Sequence, residues 1–382
     1  MRFIHTSDWH IGRLFQNVSL LDDQLHVLKQ IKNYAVQHNV DALVIAGDIF
    51  DRSVPPAEAV DALNVFLEDF TRDLSIPVIM ISGNHDSAKR LRFGSQYMRQ
   101  AGLHILGDIR EVAQPVQVDT DSGPVHFFGL PYHDPVEVRE AYGCEVKTYD
   151  EAHTHLAEIA RQARTPGIPA VLISHCFIDG ATESDSERPL SIGGADRVSY
   201  QPLTSFDYVA LGHLHGPQYK GEEHIRYSGS LLKYSFSEHQ QNKGVCLVEL
   251  NDKGFVSQQH LKLTPKHNLR VIEGELEDLI QQAKSDSATE DYILARLTDK
   301  HDLLDPLGRL RLVYPNTLQM ELTQFSISSG SKLVANVDNE RSEDQVFADF
   351  FTQVMDTELT DAQTVLLHGV IMEARTAMEG KE

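Results

Sequence analysis

The 382-residue chain has few cysteines, no long apolar run and a deficit of positive charge. Its three cysteines, Cys144, Cys176 and Cys246, lie far apart and match neither a zinc motif nor a disulfide framework, so we expect buried or incidental thiols. No apolar stretch is long enough to span a bilayer, and the first residues enter a strand pattern without the apolar core of a signal peptide. These absences predict a cytoplasmic protein with no membrane partner.

The net charge is −22, from 34 Lys and Arg residues against 56 Asp and Glu residues. Nucleic-acid binders usually carry a basic face, so this balance argues against broad binding to a polyanion. It still allows a local site in which bound divalent cations reverse the electrostatics. The apolar content of 41% and the charged content of 24% are typical of a globular protein, and the length favours two or three domains.

Short apolar runs alternate with helical patterns over most of the chain. The runs that predict strands lie at 3–6, 41–46, 77–81, 126–130, 170–174, 208–212 and 244–250. The Pro-Pro pair at 55–56 opens a predicted helix whose apolar side carries Val60, Leu63, Leu67 and Phe70. Near-continuous apolar strands separated by helices imply a sheet that is covered on both faces. This core pattern ends near residue 265.

A second, small unit follows the core. Strands are predicted at 269–275, 291–297 and 317–322, with helices at 276–285 and 306–313. Residues 326–341 read as a polar linker. The tail, 342–382, has two predicted helices, each opened by a capping box: Ser342 with Gln345, and Thr360 with Gln363. Short helices beyond a linker bury little alone, so the apolar stripe of the tail favours docking onto another chain over a separate core.

Side chains of the metal-ligand type follow five of the predicted strands. In chain order they are Asp8 and His10, Asp48, Asn84 and His85, His175, and His213 and His215. Loops that leave the carboxyl ends of strands form the sites of open α/β sheets, so we expect these side chains to converge. Mixed Asp, His and Asn donors suit two divalent ions about 3.5–4 Å apart, which bind a phosphate and activate water. Asp48 is the natural bridging ligand, and the absence of sulfur favours manganese, with magnesium as the alternative.

The order D-x-H, G-D, G-N-H-D, H and G-H-x-H resembles the calcineurin-like metallophosphoesterase superfamily. Within it, S-D-W-H-I-G-R (7–13), G-D-I-F-D-R (47–52), L-G-H-L-H (211–215) and Y-S-G-S-L-L-K-Y-S-F-S-E (227–238) are similar to the nuclease subunits of bacterial SbcCD-type exonucleases. The resemblance implies an α/β fold with a β-sandwich core flanked by helices over 1–265. It also implies a small α/β capping domain over 266–325, followed by the linker and the helical tail.

The resemblance also implies a role for each site residue. Asp8, His10, Asp48 and His215 would hold one ion, and Asp48, Asn84, His175 and His213 the other. His85 would be the non-ligand partner that stabilises the transition state or protonates the leaving oxygen. Asp86 is expected to orient His85 by accepting a hydrogen bond. Some relatives have a second histidine where this chain has Asp51, so the role of Asp51 as an orienting residue is left open.

Basic residues flank the predicted centre. Arg13 follows His10, and a short basic run follows His85. The expected contacts with DNA phosphates are Arg13, Arg52, Lys89, Arg90 and Arg92, and the alternative for the run is a solvated helix face. A second H-x-H pair, His153 and His155, lies in a helical pattern, where residues two apart face different sides. We expect that pair to be structural or solvated.

The resemblance implies a manganese-dependent nuclease that cuts DNA at duplex ends and hairpins. Its expected partners are double-stranded DNA and a coiled-coil ATPase subunit that docks on the tail, with a nuclease dimer inside a heterotetramer. Its expected location is the cytoplasm, in association with the nucleoid. Two alternatives stay open: a phosphatase or phosphodiesterase of the same superfamily that acts on small molecules, and a non-catalytic scaffold that recruits an ATPase to DNA.

Overall fold

The computed structural model describes residues 1–187, 196–323, 343–355 and 358–379, in two compact units, Met1–Leu269 and Arg270–Glu382. The strands before residue 265 are β1 (Arg2–Thr6), β2 (Leu14–Phe15), β3 (Val18–Ser19), β4 (Ala42–Ala46), β5 (Val78–Ile81), β6 (Leu103–Leu106), β7 (Val116–Thr120), β8 (Gly123–Leu130), β9 (Ala170–His175), β10 (Phe177–Ile178), β11 (Arg197–Val198), β12 (Tyr208–Gly212), β13 (Gln218–Lys220), β14 (Glu222–Tyr227), β15 (Gly244–Asn251) and β16 (Gly254–Lys262). The helices of this unit are α1 (Leu21–Gln37), α2 (Ala57–Glu68), α3 (Ala88–Leu91), α4 (Ser95–Met98), α5 (Pro135–Tyr142) and α6 (Tyr149–Gln162).

Two six-stranded sheets form the core of the first unit. The first sheet has the order β16-β15-β1-β4-β5-β6 and the second the order β13-β14-β12-β9-β8-β7. Strands β1, β4, β5 and β6 run parallel to one another, as do β8, β9, β12 and β14. The outer pairs β15–β16, β13–β14 and β7–β8 are antiparallel. All seven strands predicted in this region are present, and the predicted α/β class with a β-sandwich core is confirmed.

The two sheets pack face to face, and this corrects the simpler expectation of a single sheet covered on both faces. Alternate residues of strands from both sheets share one apolar cluster between them. At its centre the rings of Phe127 and Tyr208, from the second sheet, each meet the ring of Phe3 edge-on at 5.6 Å. A continuous apolar run has the same appearance in a central sheet and in a sandwich, which explains why periodicity alone could not separate the two.

Helices cover the outer face of the second sheet. Phe128, Leu172 and Val209 point away from the inter-sheet cluster and join a second cluster with residues of α5 and α6. On the first sheet, Leu43 and Ile45 face the same outward direction and are fully buried. Both faces of every central strand are therefore withdrawn from water, in agreement with their Val, Ile and Leu content.

Helix α2 begins after Pro56, as predicted, but its buried side differs from the predicted one. Its buried residues are Ala59, Ala62, Leu63 and Phe66, whereas Val60 is 45% exposed. Small alanines allow the helix to lie close to its neighbours, so the buried stripe is rotated from the stripe of the largest side chains. Several apolar residues of α2 are consequently left beside an open groove.

The second unit has its own small core. Its elements are β17 (Leu269–Gly274), α7 (Leu276–Ala283), β18 (Tyr292–Leu297), α8 (Pro306–Arg311), β19 (Thr317–Leu322), α9 (Glu343–Met355) and α10 (Asp361–Glu379). The three strands form one sheet in the order β17-β18-β19, and Leu279, Ile293, Leu297 and Leu310 pack together in its core. The described residues contain no helix that is both long and apolar enough to cross a membrane.

The tail helices expose most of their large apolar side chains. Phe347, Phe350 and Leu366 are 44%, 49% and 69% exposed. The predicted capping box at α10 is present, since the Thr360 amide donates to the Gln363 side chain at 2.9 Å and the Gln363 amide donates to the Thr360 hydroxyl. The linker predicted at 326–341 and the cap residue Ser342 lie outside the described residues.

Candidate metal centre

The ends of five strands bring the predicted ligands together. Strands β1, β4 and β5 of the first sheet and β9 and β12 of the second end on the same side of the sandwich, where their loops meet. Six of the predicted ligands are at most 4% exposed: Asp8, His10, Asp48, His175, His213 and His215. Asn84 and His85 are half-buried, so one side of the cluster is open to solvent.

The backbone at these loops is unusual. Asp8, His10, Asp48 and His213 have φ values of 52°, 46°, 48° and 106°, in a region that residues other than glycine rarely occupy. The Asp8 amide donates to the Gly47 carbonyl at 3.1 Å and the His10 amide to the Asp48 carbonyl at 3.0 Å, so the first two loops support one another. Strained conformations of this kind concentrate at functional sites, where the surroundings enforce them.

Glycines allow the loops to approach one another closely. A Cβ atom on Gly83 would lie 2.2 Å from Oδ1 of Asp48, and one on Gly212 would lie 1.9 Å from the carbonyl oxygen of Ala46. Neither position tolerates a side chain without moving backbone or a predicted ligand. The glycines that precede the ligands are therefore required by space as well as by turn geometry.

Three sets of side chains place one ligand atom each within 4.8 Å of the others. The sets are Asp8–His10–His215, Asp8–Asp48–His175 and His10–Asp51–His85. Asn84 joins the second set, because its Oδ1 lies 2.9 Å from Nε2 of His175 and 3.3 Å from Nδ1 of His213. The described residues thus hold two adjacent groups with the spacing of a dinuclear metal site.

The hydrogen-bond chemistry of the cluster fits bound cations. His175 Nδ1 lies 2.9 Å from the Ala46 carbonyl and must donate to it, so Nε2 presents a lone pair to the Asn84 oxygen. His10 Nε2 and His215 Nε2 are 3.1 Å apart. When the ring protons of both are assigned to Nδ1, two more lone pairs face each other. Acceptors that face one another at this distance need a cation between them, and divalent ions meet that need.

Burial sets the protonation of these groups. It lowers the pKa of His10, His175 and His213, and neighbouring histidines lower the pKa of His10 and His213 further. Burial, and then the Asp48 carboxylate, raise the pKa of Asp8 well above its ordinary value. The imidazoles are consequently held in the neutral form that binds metals, and the carboxylate pair lacks a counter-charge that a cation would supply.

His85 lies at the open edge of the cluster. Its Nδ1 lies 2.8 Å from the carbonyl oxygen of Asp51, and its Nε2 lies 4.0 Å from Oδ2 of Asp48. Its amide donates to Oδ1 of Asp48 at 2.8 Å. The Nδ1 contact fixes the ring and directs Nε2 toward the centre. The orienting group is therefore the backbone oxygen of Asp51.

Asp86 differs from the prediction that it orients His85. Its carboxylate accepts hydrogen bonds from the amides of Ile49, Phe50 and Gly83 at 3.1, 3.0 and 2.9 Å. Burial, and then the Asp48 charge, raise the pKa of Asp86 to about 6. Asp86 ties together the loops after β4 and β5. The sequence placed it beside His85 but could not show that three backbone amides would occupy it.

The predicted DNA contacts separate into two groups. Arg92 is ion-paired with Asp108 at 2.5 Å, and Arg13 lies 3.5 Å from Asp51 with its guanidinium over the Tyr234 ring. These two cations are already engaged within the fold. Lys89 and Arg52 are exposed, and no ion pair is found for either among the described residues. Arg90 is also exposed, and it donates to the Ser53 carbonyl at 3.2 Å.

The second H-x-H pair lies in α6, as expected, and belongs to none of the three candidate sets. His153 is buried, with Nε2 2.9 Å from the Ser174 hydroxyl and its ring stacked on His133 at 5.9 Å. His155 faces a different side, with its ring edge-on to Tyr142 at 5.5 Å. The prediction that this pair is structural is consistent with these contacts.

Several residues around the ligands were not singled out in the sequence. Ser7 donates to Asp8 at 2.5 Å, and Glu187 accepts the His215 amide at 2.7 Å. Ser186 Oγ lies 2.5 Å from Nδ1 of His215 and also contacts the carboxylate of Glu238. Glu238 closes the segment at 227–238 that carries part of the family resemblance. No local pattern indicates that it reaches a histidine more than twenty residues earlier.

Two families match the chain. The calcineurin-like phosphoesterases match residues 1–217, and the type 5 capsule protein repressor C-terminal domain matches residues 265–355. Together with the dinuclear arrangement of the site, the first match defines the class of the molecule. It is a calcineurin-like phosphoesterase, an enzyme that hydrolyses phosphodiester bonds.

Among individual proteins, the D chain of the SbcCD nuclease of Staphylococcus epidermidis is 35% identical over 366 residues, which cover 95% of this chain and 96% of that protein. The chain therefore belongs to the family of SbcCD nuclease subunits. Solved structures with a similar fold include a protein from Thermus thermophilus (13% identity, TM-score 0.37, 68% of this chain and 98% of that one). A dimetal phosphatase from Danio rerio is 12% identical (TM-score 0.40, 69% and 99%).

Proposed function

We propose that this chain is a manganese-dependent DNA nuclease that cuts duplex ends and hairpins, as the nuclease subunit of an SbcCD-type repair complex. One observation carries the proposal: in a chain of this family, two adjacent groups of neutral histidines and carboxylates face one another, with His85 at their open edge. A phosphate that reaches the open side would meet the ligands and His85 together.

The two ligand groups suggest how the ions would be shared. Asp8, His10 and His215 would hold one ion, Asn84, His175 and His213 the other, and Asp48 would bridge them, since its Oδ2 lies 3.7 Å from His10 Nε2 and 3.5 Å from His175 Nε2. Bound there, divalent ions would neutralise charge on the phosphate and activate water for attack. Nitrogen and oxygen donors without sulfur favour manganese among the available ions.

His85 has the position of an acid that assists the leaving group. With Nδ1 held by the Asp51 carbonyl, a protonated ring would present Nε2–H toward the phosphate. Proton donation to the departing oxygen contributes typically about 10²–10⁴-fold to such reactions. Asn84 supplies a ligand without adding negative charge that would repel the phosphate.

DNA would enter over the open edge of the centre. Lys89, Arg90 and Arg52 are exposed beside His85 and are the proposed phosphate contacts. Arg13 and Arg92 are proposed to stabilise the fold around the site, because carboxylates already engage both. The net charge of −22 makes a partner with its own DNA-binding surface a natural part of the complex.

The exposed apolar residues of α9 and α10 support docking of the tail on the coiled-coil ATPase subunit. The family name supports that partner, and the division of the second unit into a capping domain (266–325) and a docking tail is part of the same proposal. A cytoplasmic location beside the nucleoid would follow from this substrate and partner.

A dimer of the nuclease subunit would form across the groove between α2 and the segment that holds α3 and α4. The groove has a volume of about 580 Å³ and is lined mainly by apolar residues. Phe93 and Tyr97 at its edge are 83% and 85% exposed, which is unusual for large aromatic side chains on a monomer. Sedimentation of the chain and of its Phe93→Glu variant tests this part: a wild-type monomer would contradict it.

The central experiment compares the purified chain with its His85→Ala variant in manganese. The substrates are linear duplex DNA, a DNA hairpin and a small aryl phosphate diester, each with and without the ATPase subunit. We expect DNA cleavage by the wild type and a loss of about 10²–10⁴-fold in the variant, because a proton donor is removed while every proposed ligand remains. Manganese content should be equal in the two proteins.

A His155→Ala variant is the matched control, since it removes a histidine outside the centre. Turnover of the small diester with DNA untouched would contradict the nuclease and favour a small-molecule phosphodiesterase. Failure of the wild type to bind manganese would favour the scaffold alternative.

A further inference from the structure

A buried ion pair lies directly behind the candidate metal centre. Glu238 is fully buried and Lys243 is 5% exposed, and their side chains meet at 2.5 Å. Removing two charges from water is costly, so a buried pair is a weak source of stability by itself. Neither residue belongs to the proposed ligand set, which raises the question of what the pair does.

Both members of the pair hold the same residue. Glu238 Oε1 lies 3.6 Å from Nδ1 of His215, and the Ser186 hydroxyl lies between them in contact with both. Lys243 Nζ donates to the main-chain carbonyl of His215 at 2.8 Å and to the Ser230 hydroxyl at 2.8 Å. The carboxylate therefore acts on the ring of His215 and the ammonium acts on its backbone.

The donor and acceptor chemistry sets the direction of these bonds. A carboxylate can only accept, so the Ser186 hydroxyl donates to Glu238 and its lone pair accepts the Nδ1 proton of His215. The ring proton is thereby kept at Nδ1, and the Nε2 lone pair is kept for the side that faces His10. A carboxylate behind a metal-binding histidine also raises the basicity of the ligand.

The other histidines of the centre have weaker support of this kind. His175 donates from Nδ1 to a neutral backbone carbonyl, and among the described residues His10 Nδ1 has no hydrogen-bond partner. His215 is the ligand candidate whose ring is connected to a buried carboxylate that has its own counter-ion. The support is therefore uneven between the two metal positions.

We propose that Glu238 is a positioning residue for His215, that it sets the affinity of the metal position shared by His10 and His215, and that Lys243 is its buried counter-ion. The inference rests on the two-ion centre of the proposed function. It predicts that loss of the Glu238 charge weakens one metal position by about 10–100-fold and leaves the other unchanged.

The test is calorimetric titration of manganese into the metal-free full-length chain and its Glu238→Gln variant, with the electron paramagnetic resonance of Mn²⁺ as a second readout. The wild type should bind in two steps and show coupled ions. The variant should keep one step and show isolated ions where the wild type shows coupled ones. Glu249→Gln is the matched control, because Glu249 forms an exposed pair with Arg2 at 3.3 Å far from the centre.

A double variant separates positioning from stability. Glu238→Gln alone leaves the Lys243 charge buried without a partner, whereas Glu238→Gln with Lys243→Met removes the whole pair. We expect the melting temperature of the double variant to recover toward the wild-type value while the weakened metal step stays weak.

The outcomes are distinct. Wild-type affinity for both ions in a folded Glu238→Gln variant, or affinity that returns with stability in the double variant, would overturn the inference and leave the proposed function intact. A wild type that binds no manganese would remove the proposed function itself. Selective and persistent loss of one step supports both.

Discussion

The chain contains the spacing H-x-H twice, and the two copies have different environments. His213 and His215 follow β12, and both face the candidate centre. His153 and His155 lie in α6, where one ring is buried against Ser174 and the other lies against Tyr142. Alternate residues share a side beyond a strand and face different sides of a helix. The secondary structure, more than the residue types, decides whether two histidines can serve one site.

Replacing a histidine of the first pair should have the largest effect. His215→Ala removes a proposed ligand of one ion, and the several kcal/mol that a metal supplies to phosphate hydrolysis correspond to a loss of at least about 10³-fold in cleavage. The measurement is DNA cleavage in manganese together with the metal content of the protein. His153→Ala should retain both metals, and equal metal loss in the two variants would remove the contrast between the pairs.

The first histidine of the second pair should affect stability alone. His153→Leu breaks the bond to Ser174 and leaves the serine hydroxyl without that partner, so the free energy of unfolding should fall by about 1–3 kcal/mol. Urea denaturation measures this loss, and titration of manganese into the same variant should match the wild type. A drop in metal affinity without a drop in stability would place His153 within the function of the centre.

The pH dependence of stability should distinguish His153 as well. Burial, and then the neighbouring His133, lower the pKa of His153 from 6.5 to about 3. As the pH falls below 6.5, the unfolded chain binds a proton at this residue and the folded chain does not. Its contribution is therefore present above pH 6.5 and is lost as the pH falls from 6.5 toward 3.

The comparison of wild type with His153→Leu isolates this contribution. Between pH 6 and 4 the free energy of unfolding of the wild type should fall more steeply, by up to about 1.4 kcal/mol per pH unit. Denaturant titrations at several pH values provide the slopes. Parallel slopes in the two proteins would show that His153 takes up its proton in the folded state.

His155 should be the least sensitive of the four. Its contact with Tyr142 is an edge-on ring contact, and its Nε2 has no hydrogen-bond partner among the described residues. His155→Gln should change the free energy of unfolding by no more than about 0.5 kcal/mol and should leave cleavage unchanged. A large loss in either measurement would mean that this half of the pair has a role that its surroundings do not indicate.

Much of the fold could be predicted because its strands are locally distinct. The apolar runs at 41–46 and 170–174 are β4 and β9 with nearly the same bounds. The edge strands β7 and β16 were missed because exposed polar residues interrupt their apolar pattern. The separation into two sheets depends on which strands pair, and pairing is a property of residues far apart in sequence.

The candidate site could be predicted at the level of ligand types but not of their supports. Each predicted ligand stands beside a strand end that the sequence reveals, so convergence followed from the sheet. Glu238 and the Asp51 carbonyl act on histidines that are distant in sequence, and a backbone oxygen carries no residue signature at all. Orientation of a ligand therefore required the coordinates.

The aromatic contacts among Phe3, Phe127 and Tyr208 have a consequence for the far end of the sandwich. These rings fix the separation of the two sheets, and each sheet contributes its own share of the proposed ligands. Asp48 comes from one sheet and His175 from the other, at 3.5 Å. A change in ring volume deep in the core would shift one half of the ligand set against the other, and displacements of about 1 Å are costly in catalysis. The spacing of the two ions thus serves as a gauge of how the sheets are aligned.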